Sequence, residues 1–367
     1  MTTVLFAGGG TGGHLMPALA LADEMVRLES SIAPYFIGSL RGVEAVVLPR
    51  RHWPYDLLPL EPLRRHQWWK NATLPFTFLS SLRTIGQIIR RERPELVVGT
   101  GGYVSAPVVR AAASRGIPTV IQEQNAYPGL ATRWLAANAR QIHLGFPEAR
   151  AHLRPGPRTE VFVSGNPIQP PPDVRPSQGD ARARLGFAPD RPVVLVMGGS
   201  QGALAINQAV RDALLAGDWP PEANLVWQTG AGTHSAFATY AVPGRVIVEP
   251  FIDPIAPAYA AADLVVARAG AMTIAEVAAW GLPAVLVPLP SAASGHQLAN
   301  ARALAEDGAA VLLEQAETTG VTLGACVAGL LRDPARLAGI GRAARRRSRP
   351  NAVREIASKA LEILSKS

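Results

Sequence analysis

Two glycine-rich turns, each placed after an apolar strand-like run and before a helix-like run, lie about half a chain apart and constrain the fold more than any other feature. The first is Thr3-Val4-Leu5-Phe6-Ala7 followed by Gly8-Gly9-Gly10-Thr11-Gly12-Gly13-His14. The second is Pro192-Val193-Val194-Leu195-Val196-Met197 followed by Gly198-Gly199-Ser200-Gln201-Gly202-Ala203. Glycine lets backbone N–H groups approach an anion without interference from Cβ, and the helix N-terminus behind it adds unpaired donors and a positive partial charge. Each turn therefore reads as a phosphate cradle, and two such halves facing one another imply a cleft between domains.

Length and patterning agree. At 367 residues the chain exceeds what a single core usually supports, which points to two domains. Strand-like runs at 3–7, 34–38, 96–99, 118–122, 141–145 and 160–164, then 192–197, 224–228, 245–249, 263–267, 283–287 and 309–313, alternate with helix-like stretches. That alternation predicts an α/β protein with parallel sheets. The segment from Asn166 through Pro170-Pro171-Pro172 to Pro176 suits neither a helix nor a central strand and reads as the linker. A last amphipathic helix near 350–364 is expected to return to the first domain. The lone cysteine, Cys326, gives no disulfide framework and fits a reducing compartment. The N-terminus enters a strand without a secretory pattern, and no apolar run reaches the roughly 18 residues of a membrane span.

The formal charge of +8 favours an anionic partner. Its first concentration, Arg64-Arg65-His66-Gln67-Trp68-Trp69-Lys70 continuing to Arg90-Arg91-Glu92-Arg93, interleaves cations with aromatic rings, as an interfacial contact with anionic lipid requires. The alternative is that Phe78, Leu82, Ile85 and Ile89, at helical spacing, face the core; that alternative leaves Trp68-Trp69 unexplained. The second concentration, Arg342 and Arg345-Arg346-Arg347 to Arg349, reads as the solvated end of a helix or a domain-crossing segment.

Gly8, Gly10 and Gly13 also match the G-x-G-x-x-G spacing of dinucleotide folds, but the second strand ends Gly38-Ser39-Leu40-Arg41 without the acid that would bind a ribose. Arg41 facing a 2′-phosphate keeps an oxidoreductase as an alternative. His14, at the mouth of the turn, suits a general base, or else it hydrogen-bonds the loop. In the second half, Asp263 to Arg268 reads as a buried strand. The run Ala269-Gly270-Ala271-Met272-Thr273-Ile274-Ala275-Glu276 then turns into a helix whose N-terminus can receive a pyrophosphate. Glu276, one turn in, can accept from both ribose hydroxyls of a nucleotide held there, or it is an acid favoured by the helix dipole. Gln297 and Asn300, at i and i+3, present amides suited to sugar hydroxyls. No spacing suggests a metal cage.

Gly9-Gly10-Thr11-Gly12-Gly13-His14, Gly101-Gly102-Tyr103-Val104-Ser105, Glu123-Gln124-Asn125, Gly165-Asn166-Pro167, Gly198 to Ala203, Phe251-Ile252-Asp253 and His296-Gln297 occur in the order that resembles the MurG family. These are the peripheral membrane N-acetylglucosaminyltransferases of peptidoglycan synthesis. The resemblance implies a GT-B architecture of two Rossmann-like domains: 1–165 for the acceptor and the membrane, a linker at 166–176, and 177–349 for the sugar nucleotide. It implies that GlcNAc passes from UDP-GlcNAc to the 4-hydroxyl of MurNAc-pentapeptide on undecaprenyl diphosphate, with inversion and release of UDP. A UDP-GlcNAc 2-epimerase and a non-catalytic nucleotide-binding scaffold are the alternatives.

By the same resemblance Thr11, Gly12 and Gly13 line the donor side of the first loop and Asn125 reaches the sugar nucleotide. Ser200 contacts the diphosphate and the backbone at Ile252 the uracil. Ala271, Met272, Thr273, Ile274, Ala275 and Glu276 hold phosphates and ribose, and Gln297 and Asn300 the GlcNAc hydroxyls. His14 is the candidate base, with Tyr103 on the acceptor side. The chain departs from the family at Gln169, where an arginine is common, and at Ser294-Gly295, where polar or acidic residues are frequent. No cofactor, metal or nucleic-acid partner is expected, and the place of action is the cytoplasmic face of the inner membrane, reached through residues 64–93.

Overall fold

The computed structural model describes residues 1–61, 74–199 and 201–365. The chain divides into two compact units, Met1–Gln169 with Asn351–Ser367, and Pro170–Pro350. Each is built on one all-parallel sheet.

The first unit holds β1 (Thr2–Gly8), β2 (Ile32–Ser39), β3 (Tyr55–Leu58), β4 (Leu96–Gly101), β5 (Thr119–Glu123), β6 (Gln141–Leu144) and β7 (Glu160–Phe162), in the spatial order β3-β2-β1-β4-β5-β6-β7. Parallel strands covered on both faces read as unbroken apolar runs rather than alternating ones. In β1, Val4, Leu5, Phe6 and Ala7 are all fully buried. Leu5 and Ala7 join the core with Ile85, Ile88 and Ile89 of helix Leu74–Glu92 and Val104 and Val108 of helix Gly102–Ala113. Val4 and Phe6 face the other way, onto helix Gly12–Leu28 and the C-terminal helix Ala352–Ser365. The stripe Ala352, Ile356, Ala357, Ala360 and Ile363 carries that contact, at the spacing of one helix face. Its polar edge is stitched down where Ser164 Oγ donates to Glu355 Oε1 at 2.9 Å and Gln141 Nε2 to the Lys359 carbonyl at 3.1 Å.

The second unit holds β8 (Val193–Met197), β9 (Asn224–Gln228), β10 (Val246–Glu249), β11 (Leu264–Ala267), β12 (Ala284–Leu286) and β13 (Val311–Leu312), in the order β10-β9-β8-β11-β12-β13. Val194 and Val196 meet Ile206 and Val210 of helix Leu204–Ala216 and Leu323 and Val327 of helix Gly320–Leu331 in its core.

In both sheets the first strand of the unit is central and the chain winds away from it in both directions. The strand order therefore reverses between β1 and β4, and again between β8 and β11. In open α/β sheets ligands bind outside the carboxyl ends of the strands at such a switch point. Gly8-Gly9-Gly10 leaves β1 there and Gly101-Gly102 leaves β4. Gly198-Gly199 leaves β8, and Arg268 to Gly270 leaves β11.

Strand β3 was not anticipated, because four residues between Pro54 and Pro59 carry too little periodicity to register. The core reading of the basic helix holds at Ile85 and Ile89, which are buried, while Arg64 to Lys70, with Trp68-Trp69, lie outside the described residues. The second arginine cluster is not simply solvated: Arg345 Nη2 donates to the Trp280 carbonyl at 3.0 Å, and Arg347 Nη1 to the Ala303 carbonyl at 3.3 Å and to Asp307.

Candidate active site

In the first unit, sheet register brings the ends of β1, β4 and β5 side by side, with Ala7 beside Gly99 and Gly99 beside Ile121. His14 lies in the first turn of helix Gly12–Leu28, whose N-cap Thr11 makes no side-chain cap. The His14 Nδ1 sits 3.1 Å from the Thr100 carbonyl and 3.1 Å from Gln124 Oε1. Both are acceptors, so they assign the ring proton to Nδ1 and leave the Nε2 lone pair to act as a base. Thr100 Oγ1 also donates to the His14 carbonyl at 2.7 Å.

Gln124 is itself held. Its Nε2 donates to the Thr100 carbonyl at 2.7 Å and to Gln122 Oε1; Gln122 Nε2 donates to Asn166 Oδ1 at 3.0 Å, and Asn166 Nδ2 returns to the Gln124 carbonyl at 3.0 Å. All three side chains are buried. The motifs at 123–125 and 165–167 thus form one polar network behind the histidine. Beside it, the buried Glu123 carboxylate accepts from Asn125 N at 3.0 Å, Asn125 Nδ2 at 3.2 Å, Gly129 N at 3.0 Å and Thr132 Oγ1 at 2.6 Å, which shapes the loop that carries Asn125.

Gly101 and Gly102 have φ of +97° and +79°, which glycine adopts readily. They also let the chain pass close: a Cβ on Gly102 would stand 2.0 Å from the Gly9 carbonyl oxygen, and one on Gly101 2.8 Å from His14 Nδ1. Tyr103 follows, its hydroxyl donating to Ser39 Oγ at 3.0 Å and its ring packed on Gly10. Burial, with the Glu44 charge adding to it, pushes the Tyr103 phenol above its usual range, so it stays protonated and acts as a donor. Arg41 pairs with Glu61 at 2.5 Å rather than standing open for a 2′-phosphate.

The first turn differs from the expected cradle at one point. Gly10 N–H donates to the buried Glu44 Oε1 at 2.8 Å, so an internal carboxylate occupies a donor that an external anion would use.

In the second unit, helix Ala271–Trp280 starts beyond Gly270, with Met272, Thr273 and Ala275 half-exposed and Ala271 and Ile274 buried. Its far end is capped by cations: Arg175 donates to the carbonyls of Ala279 and Trp280 at 3.2 and 3.3 Å, and Arg345 shares the latter. Cations at a helix C-terminus complement the dipole that favours an anion at its N-terminus. Glu276 accepts from the Tyr259 hydroxyl at 2.9 Å through Oε2, and burial raises its carboxyl above the usual range. The Ile252 N–H donates to Gln228 Oε1 at 3.0 Å, and Gln228 Nε2 to the Gly199 carbonyl at 3.1 Å, so one amide joins the Ile252 backbone to the second glycine turn. Gln297 Oε1 accepts from Leu289 N at 2.9 Å. Asn300 is fully buried, its Nδ2 donating to the Ala269 carbonyl at 3.2 Å. Ser200 lies outside the described residues.

Sequence reasoning assigned no role to Arg268. Nearly buried, it reaches the carbonyls of Val287 and Pro288 at 3.1 and 3.3 Å and Gln315 Oε1 at 2.6 Å, pinning the loops after β12 and β13 to the end of β11. Among the described residues no cluster of three His, Cys, Asp or Glu is arranged to hold a metal ion.

Two doubly wound sheets, each with a glycine turn at its switch point, define the GT-B architecture. Residues 4–144 match the glycosyltransferase family 28 N-terminal domain and residues 193–356 the family 28 C-terminal domain. A protein of Chlorobium limicola named UDP-N-acetylglucosamine--N-acetylmuramyl-(pentapeptide) pyrophosphoryl-undecaprenol N-acetylglucosamine transferase is 41% identical over 368 residues, covering 98% of this chain and 99% of its own. A Chlorobium luteolum protein of the same name is 43% identical over 365 residues, with 98% of each covered. The crystal structure of Acinetobacter baumannii MurG shares 29% identity with a TM-score of 0.77, covering 99% of this chain and 100% of that one. The chain belongs to glycosyltransferase family 28 and, within it, to the MurG family.

Proposed function

We infer that this chain transfers GlcNAc from UDP-GlcNAc to the 4-hydroxyl of MurNAc-pentapeptide on undecaprenyl diphosphate, forming a β-1,4 link with inversion and releasing UDP. The observation that carries the reading is identity of 41% along 98% of the chain to a transferase named for those substrates. The same relatives leave the epimerase and scaffold alternatives without support.

His14 Nε2 takes the proton from the acceptor hydroxyl, whose oxygen attacks C1 of GlcNAc as the bond from C1 to the β-phosphate oxygen breaks. The ring is presented in one tautomer because Thr100 and Gln124 hold Nδ1–H. Negative charge develops on the departing β-phosphate. The N-terminus of helix Ala271–Trp280 and the glycine turn that follows β8 are the donors for that charge. Glu276 accepts from the ribose hydroxyls through the oxygen that Tyr259 does not use, and the backbone at Ile252, set by Gln228, meets the uracil. Gln297 serves the sugar. Thr11, Gly12, Gly13 and Asn125 line the donor side of the first unit's loop, and the protonated Tyr103 serves the acceptor side.

Among the described residues no helix is long and apolar enough to cross a membrane. The lipid-linked acceptor is met instead by peripheral contact at the cytoplasmic face of the inner membrane. The exposed Arg83 and Arg90 of helix Leu74–Glu92, with Arg93, supply cations for anionic headgroups. The test is His14→Gln with a soluble acceptor analogue. Acceptor-dependent UDP release should fall by about 10²–10⁴-fold, the usual worth of a general base, while UDP binding persists. Release at the wild-type rate would remove His14 from the role.

A further inference from the structure

We propose that Glu44 is a positioning residue for this transfer: from inside the protein, its carboxylate fills the place an anion would take at the first glycine turn and so fixes the backbone leading to His14. This rests on the functional reading above. Glu44 is fully buried at the start of the short helix Glu44–Val47. Its Oε1 accepts from Gly10 N at 2.8 Å and from Ser39 N at 3.4 Å. Three glycines make room for the side chain: a Cβ on Gly9 would lie 1.6 Å from Oε1, one on Gly42 1.9 Å from Oε2, and one on Gly38 2.7 Å from the Glu44 Cβ. Burying a carboxylate is costly unless hydrogen bonds repay it, and here the buried Oε2 accepts no hydrogen bond from the described residues. An apolar side chain would fill the space at less cost, so packing does not explain the charge. Holding Gly10 does.

Gly10 is gripped from the other side as well. A Cβ there would stand 2.6 Å from Tyr103 Cε1, and the Tyr103 hydroxyl donates to Ser39 Oγ at 3.0 Å. Glu44, Ser39, Tyr103 and Gly10 therefore close a ring of contacts around the turn that ends at His14. In the second turn, among the described residues, no carboxylate accepts from the N–H of Gly198, Gly199, Gln201, Gly202 or Ala203. There a bound ligand can bring the anion, whereas in the first unit the protein supplies it. The two glycine turns, alike in sequence, are thereby assigned different tasks, one to position a base and the other to bind a diphosphate.

The experiment compares Glu44→Gln and Glu44→Ala with the wild-type chain, measuring kcat, the KM for UDP-GlcNAc and UDP binding. Glu44→Gln keeps the shape but loses the charge-assisted bond, and kcat should fall about tenfold with the donor KM within about twofold. Glu44→Ala frees the loop; displacement of about 1 Å costs roughly 100-fold in kcat. Added formate, a carboxylate small enough for the vacated space, should restore several-fold of that loss, and neutral formamide should not. A wild-type kcat in Glu44→Gln, or an impaired Glu44→Ala indifferent to formate or equally rescued by formamide, overturns the proposal. Residue-resolved hydrogen exchange on the wild-type chain needs no variant: protection of the Gly10 amide is expected, and exchange at the rate of an open loop overturns it. If the wild-type chain shows no acceptor-dependent UDP release, the functional reading has failed instead, and the exchange measurement still judges the carboxylate contact.

Discussion

Replacing Gly102 by alanine separates two costs that usually arrive together. Gly102 has φ +79° and Gly116, in the turn before β5, has φ +76°, so an alanine at either position carries the same left-handed penalty, about 1–2 kcal/mol. The surroundings differ. Nothing lies within 4 Å of a Cβ on Gly116, whereas a Cβ on Gly102 would stand 2.0 Å from the Gly9 carbonyl oxygen and 3.2 Å from His14 Cδ2. Relieving the contact to the 3.0 Å that Cβ atoms respect requires a shift of about 1 Å between the end of β4 and the glycine turn, and a misplacement of that size costs on the order of 100-fold in rate. Calorimetric melting should therefore fall by a few degrees for Gly116→Ala with turnover intact, and at least as far for Gly102→Ala. Steady-state UDP release should show a kcat about 100-fold down in Gly102→Ala alone, with little change in the donor KM. A Gly102→Ala enzyme with near wild-type kcat, or equal losses in both variants, would refute the close-approach argument.

Further outcomes follow from the charges. Glu276, proposed above to meet the ribose as a carboxylate, has its carboxyl raised by burial, so UDP affinity measured by calorimetry should weaken as pH falls. Glu276→Gln should cost about tenfold in affinity and flatten that dependence; an unchanged pH profile would argue against the ribose contact. His143, sealed beneath the C-terminal helix, is held neutral by burial with its pKa lowered from 6.5 to about 3. The unfolded chain binds that proton first, so stability present above pH 6.5 is lost as pH falls toward 3, by at most about 5 kcal/mol for this group. Denaturant melts of His143→Gln should show a shallower acid-side loss than wild type, and parallel curves would contradict the assignment. Trp68→Ala combined with Trp69→Ala should lower binding to anionic vesicles while soluble-acceptor turnover survives; unaltered vesicle binding would exclude the aromatic patch as the anchor.

The fold was largely readable because central parallel strands are buried on both faces. Val4 to Ala7 and Val193 to Val196 must then be unbroken apolar runs, and the glycines behind them mark where each strand turns into a helix. The edge strand Tyr55–Leu58 obeys no such rule and left no signal. His14 was legible from its place in the turn, but its orienting partners were not. Thr100 and Gln124 reach Nδ1 only because β1, β4 and β5 are neighbours, a consequence of strand order across more than 80 residues of sequence. Glu44 was hidden for the same reason. Spacing placed Gln297 and Asn300 on one helix face, yet it did not say that Asn300 points inward to Ala269. Arg268 read as the last residue of a strand, and only the loops that fold over it reveal a nearly buried cation.

The measurement that bears most directly on the central claim is incubation of the purified chain, with chelator present, with UDP-GlcNAc and a short-chain MurNAc-pentapeptide diphospholipid, following UDP release and the mass of the lipid product. The account predicts UDP release that depends on the acceptor, matched by the gain of one N-acetylhexosamine on the lipid. Release of UDP without acceptor, or a lipid of unchanged mass, would contradict it.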